Sequence, residues 1–363
     1  MNKNIIVAAI LAAATGAAAA QTGVTIYGIA DAGFVRETGG KNGTINKLSS
    51  GVGSASRIGF RGTEDLGNGL SAIYTLETGY RIDTGAVDAN NTIFNRQAFV
   101  GLKSKAGTLT IGRQYTPWHQ ALAQVGDPFG TGFAGGSKNL FPDSGTNVRT
   151  SNTVVYSSPT TMGFTADVAY SAGEQAGSSE AGRQFGGSLG YSAGPLNVRL
   201  AYNHKNTDVA GVPGGAAAVS NGIATNTILA ANYDFKVVKA YAAYNVNKGV
   251  GSSPYGYGNT ANPYGGLTPT PSSDSNDLLL GLNAPVGPGN LLATYMRKND
   301  KNIANQDANS WGVGYLYPLS KRTTLYTVYG TVNNKNGADY TVANNSESGS
   351  GDKAYNIGVR HTF

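Results

Sequence analysis

Short runs of alternating apolar and polar residues recur along almost the whole chain. In residues 164–170, 185–191, 196–202 and 229–235, every second position holds an aromatic, aliphatic or small residue. Side chains of a β-strand point alternately to its two faces, so each run predicts a strand with one apolar face. Beyond the first residues no apolar run approaches the ~18 residues of a membrane helix, and no sustained helical periodicity occurs. The pattern predicts an all-β fold.

The connections between these predicted strands alternate between short and long. The short ones carry Gly, Pro or Asp, which favour tight turns. The long ones cover residues 37–52, 82–92, 116–149, 172–182, 205–223, 249–273, 300–306 and 334–352. Short turns at one rim and long loops at the other are typical of bacterial outer-membrane barrels. Eight long and seven short connections predict a transmembrane barrel of sixteen antiparallel strands, wide enough for an aqueous channel.

The two ends of the chain fit the export and insertion of such a barrel. Lys3, a following apolar stretch and the small residues Ala18–Ala20 are typical of a cleaved signal peptide. An anchor helix is the alternative, but it needs ~20 apolar residues. We therefore predict a signal peptide over residues 1–20 and one barrel domain over 21–363. The last residue, Phe363, ends an alternating strand and suits a membrane interface.

Composition argues against several other classes of protein. The chain has no Cys, so a disulfide framework and a thiolate metal site are excluded. Removal of the signal peptide lowers the formal net charge from +6 to +5, because it removes Lys3 and no acid. The basic residues are spread over alternating strands, which does not favour nucleic-acid binding. His119, His204 and His361 fall at different levels of the predicted barrel. We therefore predict no enzyme activity, no cofactor and no metal.

Four segments and the last residue carry a resemblance to a known family. They are Gly23–Asp31, Ser56–Gly67, Asn95–Leu102, Gly107–Tyr115 and Phe363. Through them the chain resembles the trimeric general porins of Gram-negative bacteria, in their betaproteobacterial branch. The resemblance implies a homotrimer in the cell outer membrane, in contact with lipid and lipopolysaccharide, with Phe363 as its assembly signal. It also implies that the third long loop, Thr116–Arg149, folds into the barrel and constricts it.

Charged residues in this loop and on the wall opposite are the candidate selectivity site. They are Arg57, Arg61, Arg96, Arg113, Arg149, Asp127 and Asp143. Ile58 and Phe60 occupy the lipid face of their strand, so Arg57 and Arg61 face the lumen. By resemblance, Arg57, Arg96 and Arg149 match the family's basic ladder opposite the loop. The direction of Arg113 stays open, because the strand can bend there.

Pore width and lining charge determine what a porin passes. An arginine remains charged at any working pH, and the predicted constriction loop contains few acids. We predict a water-filled diffusion channel for small hydrophilic solutes and ions, with a weak to moderate anion preference. The alternative is a solute-specific channel for a sugar or for phosphate, which would need an aromatic slide or a denser Lys/Arg ladder.

Overall fold

The computed structural model describes residues 23–40, 43–89, 91–138, 140–212, 214–249 and 274–363. The predicted signal peptide and most of the predicted loop 249–273 lie outside these ranges. Within the described ranges, no helix is long and apolar enough to cross a membrane. The strands form one antiparallel sheet, which closes on itself where β1 pairs with β17.

In the described part of the chain, seventeen strands make up this sheet. The strands are β1 (Gly23–Gly40), β2 (Gly43–Ser50), β3 (Arg57–Gly67), β4 (Leu70–Gly79), β5 (Gln97–Ser104), β6 (Gly107–Tyr115), β7 (Arg149–Ser157), β8 (Phe164–Ser171), β9 (Gln184–Ala193), β10 (Leu196–Asn206), β11 (Ile223–Asp234), β12 (Lys239–Lys248), β13 (Asp274–Val286), β14 (Gly289–Asp300), β15 (Ala308–Pro318), β16 (Thr323–Asn334) and β17 (Lys353–Thr362). Each strand from β3 to β16 pairs with the next one along the chain, and β17 pairs with β1.

Strands β2 and β3 share one position in the wall. The second half of β1 pairs with β2, and its first half pairs with β3. Between them, residues 51–56 leave the wall, and most are buried inside the barrel. Gly53 N and Ser54 N donate to Asp31 Oδ2 at 3.0 and 2.8 Å, which holds this inward segment in place. The barrel thus has sixteen wall positions, which confirms the predicted sixteen-stranded fold.

The prediction of a long loop over residues 37–52 was wrong. β1 and β2 continue through this region as a hairpin whose ladder reaches the pair Gly40 and Gly43. Near the end of this ladder, Gly39 and Gly43 have φ of 79° and 78°, values that favour glycine. The region is rich in turn-forming residues, but the two strands stay paired as far as Gly40 and Gly43, which leaves no long loop there.

The outer face of the wall is apolar. Leu189, Val168, Val100 and Leu229 are 65%, 61%, 60% and 50% exposed, although they lie in the middle of hydrogen-bonded strands. Such a large exposed apolar surface is stable against lipid and costly against water. The alternating runs predicted from the sequence therefore place their apolar side chains outward.

The third long loop folds into the barrel, as predicted. β6 ends at Tyr115 and β7 begins at Arg149, and the loop between them opens with the short helix α1 (Pro117–Ala121). Thr116 caps this helix by accepting a hydrogen bond from His119 N at 3.1 Å. Trp118 and Phe141 are fully buried in the loop.

Inside the barrel the loop lies along the wall from β9 to β17. Trp118 Nε1 donates to Asn245 Oδ1 at 3.0 Å, and Ala134 N donates to Asn356 Oδ1 at 2.7 Å. A Cβ added to Gly330 would lie 2.0 Å from Ala134 O, so the wall admits the loop only because glycine stands there. The free lumen is left on the opposite side, along β3 to β7.

Candidate pore constriction

A cavity of about 600 Å³ separates the loop from the wall formed by β3 to β7. Its charged and aromatic lining residues are Arg57, Arg96, Arg113, Arg149, Lys138, His119, Asp88, Asp143 and Tyr115. Four of the five arginines selected from the sequence therefore meet at one place. The remaining lining is mainly Ser, Thr, Asn, Gln, Gly and Ala, which suits a water-filled passage.

Tyr115, the last residue of β6, holds two of these arginines. Its hydroxyl oxygen accepts from Arg96 Nη2 at 2.6 Å and from Arg149 Nη2 at 2.9 Å. The Arg149 guanidinium carbon also lies 4.4 Å from the centre of the Tyr115 ring, in a cation–π contact. His119 stacks on that ring, with centroids 5.1 Å apart. Because these contacts immobilise the side chains, the positive groups are preorganised along the passage.

Glu77 is a site residue that sequence reasoning missed. It is 2% exposed, and its Oε1 accepts from Arg96 Nε at 2.8 Å. Arg57 Nη1 lies 3.9 Å from the same oxygen, and the Tyr27 hydroxyl donates to Oε2 at 3.0 Å. Glu77 thus offsets part of the arginine charge. Alternation along β4 places Glu77 on the lumen face, and this pattern in the sequence could have identified it.

A β-bulge decides the direction of Arg113. The pairing of β6 with β7 shifts between Gly112 and Gln114, and Gly112 has a φ of 136°. Strict alternation would place Arg113 outward with Ile111, which is 55% exposed. At the bulge its Nη1 donates to Ser151 Oγ at 3.0 Å, and the side chain reaches the cavity.

The two loop carboxylates occupy different environments. Asp143 lines the cavity, and its Oδ1 lies 2.5 Å from His119 Nδ1. Burial opposes ionisation of Asp143, but the interaction with His119 outweighs it and holds the pKa below its usual range. Asp127 lies within the loop and outside the described cavity lining, where it accepts from the backbone of Phe129 and from both N and Oγ of Ser137. Asp127 therefore stabilises the turn of the loop through these hydrogen bonds.

Lys138 adds a cation that comes from the loop and not from the wall. Its Nζ donates to Asn344 O at 3.2 Å and to Asn345 O at 2.9 Å, so it joins the constriction loop to the last long loop. Burial lowers the pKa of Lys138 to about 8, because the charged form loses hydration. Arg61 lies apart from this group, in a second cavity nearer the short turns.

A closed barrel with an apolar outside and a charged inner passage is a β-barrel membrane channel. The chain belongs to the Gram-negative porin family, whose model matches residues 7–338. It is accordingly a diffusion channel of the Gram-negative outer membrane.

Relatives and solved structures agree with this assignment. An outer membrane porin protein of Bordetella pertussis is 32% identical, with 100% of both chains covered. Outer membrane porin protein 32 of Delftia acidovorans is 31% identical, again over 100% of both chains. The structure of an anion-selective porin from Comamonas acidovorans superposes with a TM-score of 0.74 at 27% identity, covering 94% of this chain and 100% of that one.

Proposed function

We propose that the constriction makes this channel prefer anions. The observation that carries the proposal is the lining of the cavity, where four guanidinium groups and Lys138 face Asp88 and Asp143. Asp88 is paired with Arg81 at 2.9 Å, and Asp143 is hydrogen-bonded to His119 at 2.5 Å. The five cations outnumber these two carboxylates. Glu77 remains as the main counter-charge of the wall arginines.

Electrostatics in a narrow passage supports this preference. A lumen with low-dielectric walls focuses the field of its lining charges and raises the local concentration of counter-ions. Guanidinium groups stay charged over any working pH range, so the field is permanent. The similar Comamonas acidovorans protein is described as an anion-selective porin, which favours the same sign here.

The test is the reversal potential of the purified channel in a planar bilayer under a KCl gradient. We expect the wild type to give the sign of anion permeation, and Arg149→Gln to move the potential toward zero. Arg322→Gln is the matched control, because Arg322 is exposed in a short turn and should leave the potential unchanged. A cation-selective sign in the wild type would overturn the preference and leave the channel assignment intact.

Assembly is also part of the proposal. We propose a homotrimer in contact with outer-membrane lipid and lipopolysaccharide, exported with cleavage of residues 1–20. Phe363 serves as the assembly signal. Its N donates to Gly28 O at 3.1 Å and its carbonyl accepts from Gly28 N at 3.0 Å, which ties the C-terminus to β1 at the seam of the barrel. If each inserted unit closes in three equal conductance steps, the recording would support the trimer. Closure of each unit in one step would contradict it.

A further inference from the structure

A second cavity, of about 560 Å³, lies near the short turns on the wall formed by β1, β3, β4 and β5. Arg61, Lys103 and Lys105 line it together with Ile73 and Phe99. We propose that it is a second binding site, separate from the constriction, for small organic anions that join a carboxylate to an apolar body. The proposal rests on the channel function and adds a class of solute to it.

The cavity belongs to the lumen. Ile26 and Val100 point outward and are 59% and 60% exposed. Alternation therefore places Arg61, Phe99 and Lys103 on the inner face of β3 and β5. The register joins them across β4, because Thr75 pairs with both Arg61 and Phe99.

The cations of this cavity are not held in ion pairs within the described part of the chain. Among the ion pairs of the described residues, none includes Arg61, Lys103 or Lys105. Asp65 shares the inner face of β3, but its Oδ1 accepts from Gly67 N at 2.9 Å in its own turn. The Arg61 guanidinium carbon lies 5.1 Å from the centre of the Tyr27 ring, and this contact orients it.

Apolar walls beside the cations select the class of anion. Arginine binds a carboxylate through two parallel hydrogen bonds, and lysine adds a point charge. Ile73 and Phe99 offer surface that chloride does not use but that an aliphatic or aromatic body can cover. A ligand with both parts matches the lining better than an inorganic ion.

The second cavity lies next to the constriction, because β3 contributes an arginine to each. Arg57 and Arg61 are four residues apart on the inner face of β3, which corresponds to ~13 Å along a strand. An organic anion that leaves the arginine cluster toward the short turns meets Arg61 next. The second site would therefore slow its passage relative to chloride.

Single-channel recording in KCl tests the site, with benzoate as the probe added to either side of the bilayer. Acetate, which lacks the ring, and benzyl alcohol, which lacks the charge, are the comparison solutes. We expect benzoate to block the current at a lower concentration than acetate or benzyl alcohol. The block should be stronger when benzoate is added to one side of the bilayer than to the other. The double variant Arg61→Gln with Lys103→Gln should raise the half-blocking concentration by about tenfold, since two charged donors are lost.

The matched control is Lys321→Gln with Arg322→Gln, which removes one lysine and one arginine from a different short turn and should keep the benzoate block. The second site is refuted if benzoate blocks the wild type no better than acetate does. It is also refuted if the half-blocking concentration of benzoate is the same for the Arg61 and Lys103 double variant as for the wild type. The wild-type reversal potential in KCl without benzoate tests the anion preference of the constriction separately, so the two failures are distinguishable.

Discussion

At the scale of single residues, a few buried hydrogen bonds hold the arginines of the cavity in place. Arg96 sits between Glu77 and Tyr115, at 2.8 and 2.6 Å. Hydrogen bonds to charged groups are shorter and stronger than neutral ones, so they fix the guanidinium plane. We therefore expect the proposed anion preference to depend on how far Glu77 offsets the arginines beside it, and not on the total charge of the protein.

Glu77→Gln should strengthen the anion preference, because it keeps the shape of the side chain and removes the negative charge beside Arg57 and Arg96. We expect a reversal potential further in the anion direction under the same KCl gradient. Glu64→Gln is the control, since Glu64 lies exposed on the outer face of β3. An unchanged potential in Glu77→Gln would show that this carboxylate does not reach the permeating ions electrostatically.

At the scale of elements, the constriction loop is held by the wall behind it. Lys298 and Asp277 are fully buried there, with Nζ 2.7 Å from Oδ1, and the same Nζ donates to Leu140 O of the loop at 3.1 Å. Glycine at positions 312 and 330 gives the loop room to approach. Breaking a buried ion pair is costly because the remaining charge has no partner.

Lys298→Met should lower the free energy of unfolding by about 3–5 kcal/mol, since it leaves Asp277 charged and buried. Urea unfolding in detergent, followed by tryptophan fluorescence, would measure the change. Lys248→Met provides the comparison: its pair with Asp274 is exposed at the barrel rim and should contribute about 0–1 kcal/mol. Equal losses in the two variants would contradict the proposed role of the buried pair.

At the scale of the whole molecule, the pore is assembled from distant parts of the chain. Lys138 of the third loop reaches Asn344 and Asn345 of the last loop, and Arg81 lies between Asp88 and Glu347 at 2.9 and 3.8 Å. These contacts link the loops around the cavity. The charge of the passage is therefore a property of the closed barrel and its loops together.

The anion preference should fall as the pH rises from about 7 to 9. Below a pKa of about 8 Lys138 is protonated, and above it the cavity loses one positive charge. The carboxylates that face it stay ionised in this range: burial opposes ionisation of Asp143 and Glu347, but His119 and Lys47, respectively, hold their pKa values below normal. Arg81 stays charged as well.

Reversal potentials measured at several pH values would show this change, and Lys138→Met provides the reference. The variant should show the weaker preference at every pH and little dependence on pH between 7 and 9. A pH dependence that persists in Lys138→Met would assign the titration to another group.

Alternation by itself determined the wall of this barrel, because lipid outside and water inside impose a period of two on every strand. It identified the lumen side of Arg57 and Arg61. The long connection from Thr116 to Arg149 was visible in the sequence, but its role as a constriction loop came from the resemblance to porins. Residue type alone could not separate Asp127, which is buried in its own turn, from Asp143, which lines the cavity.

Tertiary structure decided the remaining features, because they depend on contacts between segments far apart in the chain. The bulge at Gly112 turns Arg113 toward the cavity, and the inward segment 51–56 divides one wall position into β2 and β3. The role of Glu77 as a counter-charge follows only from the tertiary structure. There β4 pairs with β3, and the Tyr115 hydroxyl holds Arg96 nearby. A periodic pattern specifies which face a side chain takes; only the closed barrel specifies what it meets there.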